Sequence, residues 1–316
     1  MKLFKSYILY LSIGVFAQMF NIDVVGQQLP VFSQYLLNDY AYNPAIAGSN
    51  NYYDVKSNHR YQWVGITDAP RTYTLTLNGP SRNKKMGFGG MLFTDHVGPT
   101  RRTGFQASYA YHLNMSSEIK LSLALSVGML EWKLDGHKIE LYDLNDQVMI
   151  NNVMRAVVPD AKFGFLVYHK DWYVGGSIPN LLASQLSFSN TDNTGLSKLK
   201  PHYYLHGGYI FHLNDDVDLE PSCMVKILSP VPVQLDIMAR ATWKQKVWFG
   251  LAYRTMDAAS AMIGYLFKQN LLFGYSYDFT TSNLRNYSSG THELMFGIRF
   301  VPVSYTHLTL PTNACV

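Results

Sequence analysis

Charge is scarce in this chain of 316 residues: Asp, Glu, Lys and Arg make up 15% of it, and the formal net charge is +4. So mild and dispersed a balance lacks the basic stripe of a nucleic-acid-binding protein, so nucleic acid is not expected as a partner. Cysteine is nearly absent. Cys223 and Cys315 are the only two, which excludes a disulfide framework and any cysteine-based metal cluster. Long apolar runs are missing after residue 20, and a membrane-crossing helix needs about 18 or more such residues. Catalytic signatures are missing too, with no Gly-x-Ser-x-Gly elbow and no His-Glu-x-x-His. His202 and His206 stand four apart, but on a strand that separation is about 13 Å, too far to share one zinc. The sequence predicts no enzyme, no metal and no cofactor.

What is abundant points elsewhere. Tyr (23) and Gly (23) are frequent, and aromatics reach 14%. From Pro232 to Lys244 one face carries Val233, Leu235, Ile237, Ala239, Ala241 and Trp243, and the other Gln234, Asp236, Met238, Arg240, Thr242 and Lys244. Period-two alternation with full charges on the polar face predicts a transmembrane β-strand, lipid on one side and a wet or charge-filled lumen on the other. Runs of this kind lie at 52–63, 72–79, 86–95, 103–113, 120–131, 159–169, 172–178, 202–213, 217–228, 232–244, 246–254, 259–267, 271–279 and 291–301. The expected fold is all-β, a transmembrane antiparallel β-barrel of about fourteen strands, an even number as a single-chain bacterial barrel requires.

Connections alternate in length. Short polar turns follow the even strands and longer loops the odd ones, which places the short side in the periplasm and the long side outside the cell. Parity then assigns faces. Asp54, Lys56, Arg60, Glu220, Lys226, Asp236 and Arg240 are predicted to point into the lumen, where they either line a pore or pair to fill it. Outward placement would cost each basic residue among them about 2–4 kcal/mol at mid-bilayer. On the first strand His59 is the imperfect member of the lipid face. Trp172, Trp243 and Trp248 flank short turns while Trp63 and Trp132 stand near long loops, the arrangement expected of aromatic belts at both membrane surfaces. Gly87, Gly89 and Gly90 read as small residues at a crowded position of a strand, not as a phosphate loop.

The ends read differently. Lys2 and Lys5, the apolar stretch Tyr7 to Phe20 and the small-residue end Val24-Val25-Gly26 have the form of a secretory signal peptide, residues 1–26. Residues 27–50 follow as a periplasmic N-terminal segment or a plug, and their aromatics argue against free disorder. Within them Phe32, Gln34, Tyr35, Tyr42, Asn43 and Pro44 are candidates either for packing a plug or for docking a partner. Residues 51–303 form the barrel. Ser304 to Asn313 resembles the conceptual translation of a sequencing-adapter read-through, so residues 304–316 are taken as foreign. Loops 132–159 and 179–201, with Ile139, Leu141, Val148, Met149 and Ile150, are expected to form a platform for cargo or a lid.

An ordered series of motifs carries a family resemblance over about Gln27 to Phe300. Phe32-Ser33-Gln34-Tyr35, Tyr42-Asn43-Pro44-Ala45-Ile46-Ala47-Gly48, Arg60-Tyr61-Gln62-Trp63-Val64-Gly65, Ala69-Pro70-Arg71-Thr72, Gly87-Phe88-Gly89-Gly90, Asp95-His96-Val97-Gly98-Pro99 and Ser108-Tyr109-Ala110-Tyr111 resemble the PorP/SprF family. Leu36-Leu37-Asn38-Asp39 departs from that family's more usual Met-Phe-Asn-Pro-like stretch. The resemblance implies a non-enzymatic outer-membrane barrel, accessory to type IX secretion and to gliding motility. It would help secrete or anchor a surface protein such as an adhesin that carries a C-terminal sorting domain, with a periplasmic OmpA-like component and the lipid bilayer as further partners. A diffusion porin or small-molecule transporter is the alternative that the same alternation allows.

Overall fold

In a computed structural model of the chain, residues 29–138, 153–186 and 197–300 are described. The strands in chain order are β1 (Tyr53–Tyr61), β2 (Arg71–Pro80), β3 (Met86–Val97), β4 (Thr100–Asn114), β5 (Lys120–Asp135), β6 (Val153–Tyr168), β7 (Trp172–Ile178), β8 (Gln185–Leu186), β9 (Ser197–Lys198), β10 (Tyr203–Tyr209), β11 (Phe211–Asn214), β12 (Val217–Leu228), β13 (Val231–Trp243), β14 (Val247–Arg254), β15 (Ala258–Phe267), β16 (Leu271–Thr280) and β17 (Thr291–Phe300). Apart from the small ribbon β8–β9, they form one antiparallel sheet in sequence order, with β10 and β11 as a single stave broken at Ile210. The sheet closes because β1 pairs with β17, Tyr53 opposite Phe300 through Tyr61 opposite His292. The result is a fourteen-stave barrel with no free edge, which is how a sheet satisfies every backbone group in lipid.

The alternation is realised in register. Along β2, Thr72, Thr74, Thr76 and Asn78 are buried inward while Leu75 and Leu77 stand out toward lipid. Val233, Ile237 and Trp243 face out from β13, and Asp236 and Met238 face in. The periplasmic turns (81–85, 115–119, 169–171, 215–216, 244–246 and 268–270) are all short, and the long connections, such as 62–70 and 281–290, lie on the external side; but the external connections 98–99, 229–230 and 255–257 are just as short, so the expected alternation of short and long holds only in part. Three strands run past the membrane on the outside: β5 and β6 have 16 residues each and β4 has 15, against roughly 9–11 for a crossing. Trp132 to Asp135 therefore pair with Ala156 to Val153, so the base of the loop expected at 132–159 is β-ribbon. Ile139, Leu141, Val148, Met149 and Ile150 lie outside the described residues, as do the signal segment 1–26 and the tail 304–316. Within 179–201, β8 and β9 pair as a ribbon, and Leu186 and Leu199 pack inward on Leu130, Ala156 and Val158.

The tryptophan belts need correction. Trp243 faces lipid and Trp172 stacks on His169 at the periplasmic rim. Trp248 is instead 4% exposed and belongs to the lumen core, and Trp132 faces inward, under the Arg102 guanidinium. Trp63 lines the external mouth. Parity, not nearness to a turn, decides the face: Trp248 is in phase with Gly250 and Arg254, which point in. The outward belt is carried mainly by Phe and Tyr, including Phe88, Tyr109, Tyr265 and Phe300 on the periplasmic side. In brominated-lipid vesicles, single-tryptophan variants retaining Trp243 are expected to be quenched strongly and those retaining Trp248 little. Equal quenching would contradict this parity.

Candidate functional site

Residues 29–49 lie inside the barrel and pack its lumen. Phe32, Tyr35, Leu37 and Tyr42 join Tyr204, Met224, Met238, Trp248, Met262, Leu272 and Met295 of the wall in one apolar cluster. Tyr40, Ala45, Ile46 and Ala47 join Ala110, Ala124 and Leu166 in a second. The path runs from one mouth to the other. Leu29, Pro30 and Val31 line the external vestibule, whereas Gly48 reaches Gly87 and Pro80 at the periplasmic ends of β3 and β2. Across the segment the Tyr42 hydroxyl accepts a bond from Phe32 N at 2.6 Å. Two short 3-10 turns, Asp39–Ala41 and Pro44–Ile46, compact it.

Each candidate of this segment has a defined contact. Gln34 donates from Nε2 to the Glu293 carbonyl at 3.1 Å, and its amide reaches Glu293 Oε1 at 3.3 Å. Tyr35 pairs with Ser222 at 2.9 Å. Asn43 caps the second 3-10 turn by accepting from Ala45 N at 3.0 Å, and Pro44 supplies the preset backbone angle at its start. The Asn43 amide nitrogen also donates to the Phe165 carbonyl at 2.9 Å and lies 3.0 Å from His206 Nε2. One side chain thus serves both segment and wall. Asn43→Ala is expected to cost about 1–3 kcal/mol, because buried groups on each side lose their partner. A urea titration in detergent reads it, and an unchanged midpoint would remove the capping role.

Most of the charged side chains on the lumen face are paired, whereas Lys162 donates to the Ala41 carbonyl at 3.0 Å and Asp160 accepts from Gln106 at 2.8 Å. Asp54 and Lys56 meet at 2.8 Å, with Arg299 at 3.6 Å from Asp54. Arg60 bonds Glu293 at 2.9 Å, Asp278 at 2.7 Å and the Ser33 hydroxyl at 2.9 Å, while Ser33 N donates to Glu293 at 2.8 Å and its hydroxyl to Asp278 at 2.7 Å. This clasp holds Ser33-Gln34 to β1, β16 and β17. Lys226 pairs with Asp236 at 2.6 Å, and Arg254 bridges Asp236 at 3.2 Å, Asp257 at 3.0 Å and the Phe32 carbonyl at 3.2 Å. Arg240 pairs with Glu220, which also accepts from the Tyr173 hydroxyl. Glu293, Asp278, Arg254, Ser33, Asn38 and Tyr40 are not among the sequence's site candidates, although Ser33 stands within a family motif and Tyr40 among the segment's aromatics. Parity along β17 and β16 would have turned Glu293 and Asp278 inward; the contacts of Asn38 with Asn58 and of Tyr40 with Ser108 had no local signal.

Above the packed segment the lumen widens into a vestibule of about 950 Å³ on the external side, walled by Trp63, Trp132, Tyr204, Ile227 and Tyr287 and floored by Pro30 and Val31. A pocket of about 50 Å³ lies beside Phe32 and Tyr42. No cluster of His, Cys, Asp and Glu able to hold a metal occurs among the described residues.

Residues 24–298 match the family described as the type IX secretion system membrane protein PorP/SprF. The chain belongs to the PorP/SprF family. It is therefore a membrane component of type IX secretion, and its barrel places it in the outer membrane. No curated protein matches it. Similar solved structures include the Ralstonia pickettii toluene transporter TbuX, at 10% identity over 82% of this chain and 92% of that one, TM-score 0.49. The CymD monoaromatic hydrocarbon channel is similar at 10% identity over 87% and 94%, TM-score 0.46. A Pseudomonas aeruginosa FadL homologue is similar at 10% identity over 78% and 88%, TM-score 0.43.

Proposed function

We propose that this PorP/SprF member is a non-enzymatic accessory of type IX secretion that helps secrete or anchor a surface protein bearing a C-terminal sorting domain, such as an adhesin. The observation that carries the reading is the lumen: residues 29–49 occupy it and are clasped by buried ion pairs, while the external mouth stays open. A diffusion pore gains nothing from a plugged, cross-braced interior. A scaffold that holds a partner at the surface does, since a rigid wall keeps the binding loops in place. Phe32, Gln34, Tyr35, Tyr42, Asn43 and Pro44 act in this reading as packing residues of the plug, and an OmpA-like periplasmic component meets the short-turn rim. Deleting the gene should abolish surface display of one sorting-domain protein, read by antibody labelling of intact cells, and the purified barrel should give no steady conductance in planar bilayers. A large open conductance with surface display intact would replace this reading with a diffusion porin.

A further inference from the structure

The periplasmic rim is divided by charge. Around the barrel the short turns β13–β14, β15–β16 and β2–β3 are consecutive apart from the β17–β1 seam, and they present Lys244, Lys246, Lys268, Arg82, Lys84 and Lys85, all exposed, with no acid among residues 81–85, 244–246 or 268–270. The opposite arc, turns β4–β5, β6–β7 and β11–β12, carries Glu118, Asp171, Asp215, Asp216 and Asp218 together with Lys120 and Lys170. The arcs touch where Lys244 meets Asp216 at 3.7 Å, both half-exposed.

Two features of the basic arc go beyond its charge. First, two of its turns repeat one device, an aromatic residue followed by Lys-Gln. Lys244 Nζ lies 5.2 Å from the Trp243 ring and Lys268 Nζ 5.3 Å from the Phe267 ring. Both rings face outward from the barrel, 51% and 41% exposed, so the ammonium groups sit at the level of the aromatic belt and lean toward lipid. Second, the backbone at these lysines is left-handed: φ is +50° at Lys244, +54° at Gln245, +48° at Lys268, +62° at Gln269 and +56° at Lys84. Tight hairpin turns of this type favour Asn-Gly, and a long side chain there is strained. Every basic turn keeps a lysine in this conformation; no residue of the turns in the acidic arc has positive φ. Left-handed backbone also occurs in the external connections, at Trp63, Asp68, Asn180, Ala183 and Met256, but on the periplasmic rim it is confined to the basic arc.

We propose that the basic arc is a binding site for anionic phospholipid headgroups of the periplasmic leaflet, with Lys244 and Lys268 as its principal phosphate ligands and Gln269 as a neighbouring amide donor, the Gln245 amide being engaged by Asp218. Lysines near a membrane surface gain from anionic lipid individually and additively, and a tryptophan or phenylalanine beside each fixes its depth at the headgroups. The acidic arc repels the same lipids, so the bound lipids gather on one side of the barrel and orient it against its neighbours.

The test is to reconstitute the full barrel in vesicles of phosphatidylcholine containing a minor share of phosphatidylglycerol, extract it in mild detergent, and quantify the lipid retained by mass spectrometry. The wild type is expected to retain phosphatidylglycerol over phosphatidylcholine, and K244Q/K268Q to lower that enrichment by about tenfold, with K244R/K268R restoring it. The variant K244N/Q245G/K268N/Q269G relaxes the turns, so it should fold at least as well and still lose the lipid. Enrichment unchanged in both lysine-free variants would overturn the proposal. So would a thermal shift with inorganic phosphate in pure phosphatidylcholine vesicles as large as that with phosphatidylglycerol, since it would make the ligand a free anion. Loss of binding to an acidic protein with lipid retention unaffected would likewise overturn it.

Discussion

Arg60→Ala should be the most damaging single change in the barrel. Arg60 is 1% exposed and Glu293 0%, and the guanidinium neutralises two carboxylates while donating to Ser33. Removing it strips Glu293 and Asp278 of the partner they share, and breaking one side of a buried pair costs about 3–5 kcal/mol. The loss also reaches the plug, because Ser33 and Gln34 are held through Glu293. A urea titration followed by Trp248 fluorescence, together with the fraction of heat-modifiable folded barrel on gels, should show the midpoint falling. Arg60→Lys keeps the charge but not the fork that meets two acids at once, so it should fall between. Replacing Glu293 by Gln and Asp278 by Asn in the Arg60→Ala background should recover part of the loss, since the uncompensated charges are then gone. An Arg60→Ala barrel with a wild-type midpoint would show that water already screens the clasp.

The barrel was readable from the sequence for a definite physical reason. Strand parity is local, and a charge turned to lipid costs enough that the pattern is enforced residue by residue, as at Asp54, Lys56 and Arg60 of β1. The family motifs pointed to residues 32–48, and the structure shows what those residues touch. Which wall residues receive them was not readable, because the pairings span the chain: Ser33 meets Glu293 across 260 positions and Asn43 meets His206 across 163. Parity could have turned Trp248 inward, yet only the presence of a plug explains why a large indole fits there: it packs with Phe32, Tyr35, Leu37 and Tyr42. The direction of the segment was hidden for the same reason. Placing the N-terminal segment on the periplasmic side follows from the alternation of connection lengths, but Leu29 to Val31 stand at the external vestibule because the segment crosses the lumen before β1 begins.

Gly87→Val tests whether that crossing is tightly fitted at its periplasmic end. A β-carbon on Gly87 would lie 1.8 Å from the Ala47 carbonyl oxygen and 2.9 Å from Gly48 N. Both are backbone atoms, so no flexible side chain can move aside. Gly48 is itself held at φ +77° against the same strand, and the Ala47 carbonyl is engaged by His112 Nε2 at 2.9 Å. Either the plug end lifts off the wall or β3 bends away. Overpacking costs about 1–3 kcal/mol, and the valine should reach the top of that range. Gly90 provides the control within the same strand. A β-carbon there meets only the Gln106 carbonyl, at 3.9 Å, so Gly90→Ala should be neutral or slightly stabilising through the reduced freedom of the unfolded chain. Limited proteolysis of barrels in vesicles reads the plug directly: Gly87→Val should expose residues 44–50 to cleavage while the barrel itself stays protected, and Gly90→Ala should not. Equal protection in both would mean that the periplasmic end of the plug has room to spare, and the close approach of Ala47 to Gly87 would then play no part in holding the segment in the lumen.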